Sequence, residues 1–159
     1  MTRLPRRVIA LAATVLVALS VALVAWYAGS RDARVDRARD DALAAATAAT
    51  QAVFSYDYRS FDASVANAKQ FITGDFATEY AETTASLKPA AEQEQAVVRA
   101  EVSAAGIISA GPDQVEVLLY VNQYRRNVNI TGEKVDQNRV VLTLVHVDGR
   151  WRVSHALAI

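Results

Sequence analysis

The chain has no cysteine. That excludes thiol catalysis, iron–sulfur clusters and cysteine-type zinc sites, and an exported domain without disulfides must be held by its core alone. Histidine is nearly as scarce. His146 and His155 are the only two, and neither has a second histidine or a carboxylate at metal-ligand spacing, so neither metal nor cofactor is expected. There is no glycine-rich phosphate loop and no recognisable Ser-His-Asp spacing. The 17 basic side chains meet 17 acidic ones, and without a basic patch nucleic acid is not an expected partner. No internal repeat is present.

What is present is one long apolar run, Val8 to Ala28, VIALAATVLVALSVALVAWYA, 21 residues without a charge. At about 1.5 Å per helical residue it spans the roughly 30 Å of bilayer hydrocarbon. Thr14 and Ser20 are its only hydroxyls apart from Tyr27, and they can bond back to the preceding turn. Trp26 and Tyr27 end it, where amphipathic rings favour the headgroup layer. Arg3, Arg6 and Arg7 precede it with no acidic residue, which keeps that end cytoplasmic. A cleaved signal peptide has a shorter apolar core and a small-x-small site. The expectation is therefore an uncleaved signal anchor over 8–29, a cytoplasmic tail over 1–7, and a body on the outer face of the plasma membrane. With three arginines inside, 14 basic residues face 17 acidic ones outside.

Residues 30–52 read as a helical stalk continuing into a domain over 53–159. Alanine is the best helix former, and Val35, Ala38, Ala42, Ala45, Ala49, Ala52 and Tyr56 recur in steps of three and four. Ser60 is a candidate N-cap, with Asp62 in the first turn. Phe61, Val65, Ala68 and Ile72 share a helical face that Gly74 ends as a left-handed cap. Asp75 can cap a third helix carrying Phe76, Tyr80 and Leu87, which Pro89 kinks or restarts. From Val97 the period becomes two. Val98–Ala104, Val115–Val121, Val140–Leu144 and Trp151–Ile159 read as four strands, with a bulge at Gly106. A turn at 111–113, a long connection over 125–137 and an Asp148-Gly149 hairpin turn join them. Helices must cover one sheet face, so the fold class is α+β: about three helical segments on a four-stranded antiparallel sheet, with a cone-shaped hollow between.

An apolar segment followed by YDYRSFDASVANAKQFITGDFATEY, LKPAA and VDGRWRVS resembles the Mce-associated membrane proteins of mycolic-acid-bearing actinobacteria. Tyr56-Asp57-Tyr58, Thr73-Gly74-Asp75-Phe76 with Tyr80, and Asp148-Gly149-Arg150-Trp151 carry the likeness, which runs from about residue 8 to 157. It implies a roll similar to nuclear transport factor 2 (cystatin-like) and to the secretion subunit VirB8. It also implies a non-enzymatic accessory or scaffold subunit that steadies an Mce complex importing lipids or sterols. Alternatives are a lipid-binding carrier module using the hollow, a VirB8-like secretion subunit, and an isomerase or cyclase using Asp57 or Asp62 with a tyrosine. Candidate partner or lipid contacts are Tyr56, Tyr58, Phe61, Phe76 and Tyr80, with Arg125 and Arg126 on the exposed-looking connection.

Overall fold

A computed structural model of the chain describes residues 6–159; between 6 and 32 it describes the side chains of residues 16, 18–27 and 29 alone. The chain divides into two compact units, Met1–Asp36 and Arg37–Ile159. Helix α1, Arg6–Val53, starts in the first and ends in the second.

In the first unit, Leu16, Leu19, Val21, Leu23, Val24, Trp26 and Tyr27 are each at least 60% exposed. With the exposed alanines 18, 22 and 25 they occupy every side of a helix that turns once per 3.6 residues. Ser20 Oγ donates to the Leu16 carbonyl at 2.8 Å, as expected. The expected span 8–29 lies partly outside the described residues, and among those described no helix is long and apolar enough to cross a membrane.

The second unit is an antiparallel meander with helices on one face. It comprises the end of α1, β1 (Tyr56–Asp57), a 3-10 turn over 58–60, α2 (Phe61–Ala68), α3 (Gly74–Gln93), β2 (Val97–Ala110), β3 (Gln114–Arg126), β4 (Lys134–Val147) and β5 (Arg150–Ala158). The sheet order is β1-β2-β3-β4-β5. There are thus five strands where four were expected. The extra one is a two-residue edge pairing Tyr56 with Val98 and Asp57 with Val97, too short for any periodicity to show.

One parity along each strand faces the helices, because successive side chains point to opposite faces. Val115, Val117, Leu119 and Val121 of β3 are buried on that face and pair with Leu144, Leu142, Val140 and Asn138 of β4. Against them α1 sets Ala38, Ala42, Ala46 and Ala49, all at most 5% exposed, in one core cluster. Methyl side chains on that stripe let the helix backbone lie close to the sheet. Burying each Leu or Val in this core is worth about 1.5–3 kcal/mol.

Several local expectations are corrected. The first domain helix stops at Val53, so Tyr56 belongs to a strand. Gly74 is left-handed, φ +62°, as foreseen, yet α2 has already ended at Ala68 and Gly74 opens α3, with Thr73 at the N-cap and Asp75 in the first turn. Ser60 stands at the N-cap of α2 without a side-chain capping bond. Pro89 sits inside α3, which does not restart there; the helix loses one amide donor at that point. Gly106 is in register with Leu118, and the irregularities of β2 fall between Val102 and Ala104 and between Ile107 and Ser109. The long connection shrinks to 127–133, because the mostly polar residues 134–139 pair with β3.

The two sheet edges differ. At β5, Val153 N donates to the Phe71 carbonyl at 2.8 Å and Thr73 N to the Val153 carbonyl at 2.9 Å, so the loop after α2 is bonded to that strand. On the other side, β1 covers only Val97 and Val98, and Ala100 N is taken by Ser55 Oγ at 2.9 Å. Beyond it β2 has no strand partner on its outer side among the described residues.

Candidate functional site

The hollow between the helices and the sheet is the candidate site. Its volume is about 370 Å³. The end of α1 contributes Val53 and Phe54, β1 contributes Tyr56, and α2 contributes Phe61 and Val65. From α3 come Phe76, Glu79, Tyr80, Thr83, Thr84 and Leu87, one face at helical spacing. The sheet supplies Gln123, Val140, Ala156 and Ala158. The reason it is not filled lies in β5. Its helix-facing residue Val153 is buried in the core, but the next two on that face are Ala156 and Ala158, which are too small to reach α3.

The walls are fixed by ring contacts and hydrogen bonds. Tyr56 meets Phe61 edge-on, ring centres 5.4 Å apart, and Phe76 and Tyr80 stand 6.4 Å apart, both within the range of favourable aromatic pairs. Phe61, Ala91 and Ala96 form a second small core, with Tyr56, Val65 and Leu87 packed on it. The Tyr80 hydroxyl donates to the Val53 carbonyl at 3.4 Å, tying α3 to the end of α1. Thr84 Oγ1 is committed to the Tyr80 and Ala81 carbonyls. Burial pushes the Tyr56 hydroxyl above the ordinary tyrosine range; the Arg125 charge draws it back and Glu94 adds to the rise. Burial likewise raises Tyr80.

Of the seven candidate contacts, Tyr56, Phe61, Phe76 and Tyr80 come together here. Tyr58 does not; it lies in the 3-10 turn beneath the Arg59 guanidinium. Arg125 Nη2 bonds Asp136 Oδ2 at 2.9 Å and its Nε is buried with no partner. Arg126 is surface, 3.4 Å from Glu133. The carboxylates proposed for acid–base chemistry are elsewhere. Asp57 is held below the usual carboxylate range by hydrogen bonds from the Arg59 side chain and then its backbone N–H. Asp62 lies 2.6 Å from Lys88 Nζ, whose own pKa that bond raises. Neither lines the hollow. His146 packs on Trp151, ring centres 5.1 Å apart. Sequence reasoning missed Gln123, Val140 and Ala156. The one legible signal was the small residues alternating at the end of the last strand.

No family model matches the chain. Outer membrane protein Rv1973 of Mycobacterium tuberculosis (strain ATCC 25618 / H37Rv) is 34% identical over 134 residues, 83% of this chain and 82% of that protein. Among solved structures, the fold is similar to an IcmL-like type IV secretion system protein from Legionella pneumophila, with TM-score 0.64 and 16% identity over 76% of this chain and 91% of that one. It is also similar to VirB8 of Agrobacterium tumefaciens, with TM-score 0.58 and 10% identity over 73% and 88%. At such identities the likeness is one of fold, and the expected α+β roll of the VirB8 kind holds.

Proposed function

Because this chain belongs to the same family as the mycobacterial outer membrane protein Rv1973, we propose that it is a membrane-tethered, non-enzymatic accessory subunit of a cell-envelope complex. It is held by the apolar segment 8–29 with its roll on the outer side, and its partners are Mce transporter subunits that import lipid or sterol. The observation that carries this reading is the apolar surface of α1. Leu16, Leu23, Val24 and Trp26 are each 65% exposed or more, and a bilayer is the solvent in which a helix apolar on all sides is stable. The roll then works by contact.

Crosslinking in the native membrane, followed by identification of the captured proteins, tests it. Mce subunits are the expected captures, and deletion of the gene lowers their abundance and lipid uptake together. Normal uptake with normal partner levels, in a strain without a close paralogue, sinks the reading. The VirB8-like fold favours one rival, a secretion-system subunit, which the same capture separates because its partners are secretion proteins.

A further inference from the structure

The hollow exceeds what imperfect packing leaves. An engineered cavity of about 150 Å³ already holds benzene; this one is about 370 Å³, inside the roughly 300–1,000 Å³ of small-molecule sites. Its walls are hydrocarbon and aromatic ring, with Val53, Phe61, Phe76, Leu87, Val140 and Ala156 on opposing sides. Water gains little from such a lining, which offers few of the two to four polar partners that a buried water needs.

Polar groups reach the hollow at few points. The Thr84 hydroxyl is spent on a backbone carbonyl at 2.7 Å, and the Tyr80 hydroxyl makes a longer bond to the Val53 carbonyl at 3.4 Å. Gln123 Oε1 accepts from Asn138 Nδ2 at 2.8 Å, which leaves its amide hydrogens as donors. Tyr56 is also in the lining. The nearby positive charge lies outside the lining: Arg125 holds Asp136 at 2.9 Å through Nη2 while its Nε is buried without a partner, and Lys134 holds the same carboxylate at 3.1 Å. The one acidic or basic side chain in the lining is the acidic Glu79, which offers an anion no partner.

We propose that this hollow is a binding site for a neutral lipid: a mainly hydrocarbon molecule with a single hydroxyl, its chain or rings among the aromatic walls and its hydroxyl against Tyr56 and Gln123. An ionised fatty acid is disfavoured, because it brings a charge into a lining that holds no basic side chain and one acidic one, Glu79. The site needs no partner subunit, so it stands or falls separately from the assembly role above.

The test uses the purified full chain in detergent and two photoreactive probes, a diazirine-bearing long-chain alcohol and its matching carboxylic acid, with labelled peptides mapped by mass spectrometry. The alcohol labels peptides of α2 and α3 at least about tenfold more than the acid, the ratio of one buried, uncompensated charge. Two plugs each cut that labelling about tenfold: Ala156→Phe in the wall and Thr83→Trp at an exposed position in the lining. The second keeps the test decisive should the first misfold by circular dichroism. Tyr56→Phe lowers labelling about fivefold, the loss of one neutral hydrogen bond. Leu157→Trp, on the opposite sheet face, changes nothing. Labelling confined to residues 8–29, labelling that neither plug reduces, or equal labelling by the acid overturns the proposal.

Discussion

Alanine at positions 42 and 46 is fully buried where α1 meets the sheet, and the closeness of that contact depends on side chains one carbon long. Ala46→Leu therefore destabilises the domain by about 1–3 kcal/mol through overpacking. Leu119→Ala, emptying a fully buried position in β3, costs about 2–5 kcal/mol. Urea unfolding followed by tryptophan fluorescence measures both. Tyr56 and Tyr80 give a pH signature. Burial holds both above the usual tyrosine value, so the folded chain keeps protons that the unfolded chain releases first. Their contribution is complete below about pH 10 and falls as pH rises past it. Absorbance titration should show at least two of the six tyrosines ionising late, and the urea midpoint should drop over the same window. At this scale the sequence was partly readable. The stripe through Ala38, Ala42 and Ala49 followed from spacing, while the choice of Ala46 over Ala45 for full burial did not, because an alanine run offers the same side chain in every register.

Turns and strands show which elements declare themselves locally. Asp148-Gly149 is the tight turn between β4 and β5, with φ of +51° and +75°, the pair of left-handed residues that a two-residue hairpin demands. Gly149→Ala meets open space and so should cost only the strain of an L residue at positive φ, about 1–2 kcal/mol; thermal unfolding reads it. The three long strands after Val97 and the final one announced themselves by alternation. β1 did not, because two residues carry no period and its pairing with Val97 and Val98 is made across the chain. The connection over 125–137 was misjudged for a related reason. Lys134, Asp136, Asn138 and their neighbours look like loop residues, yet strands long enough to pass the end of the core carry polar side chains on both faces. Gly74 was read correctly in conformation and wrongly in position. Left-handed glycine marks a break in a helix pattern and does not say on which side of the break the helix lies.

For the molecule as a whole, the first testable matter is where it resides. With the reading of 8–29 as an anchor, the full chain stays in the membrane pellet after alkaline carbonate washing. Removing those residues moves it to the soluble fraction, as immunoblotting of fractions reports; a wild-type chain in the wash refutes the anchor. The hollow itself was only half legible. The aromatic face of α2 and α3 followed from helical spacing, but a cavity is the space left where two elements fail to fill each other. That depended on Ala156 and Ala158 standing opposite α3, a relation between residues some seventy positions apart that no window of sequence contains.

The unequal edges of the sheet set a limit on growth. One flank offers amides and carbonyls that meet no strand among the described residues, along a stretch without charge, VSAAGIISA, while the loop bonded at Val153 interrupts the other. Strand addition is available on a single side. Two copies joined there in antiparallel fashion leave only interrupted flanks outward, so such self-assembly terminates at a pair and cannot propagate into a fibre.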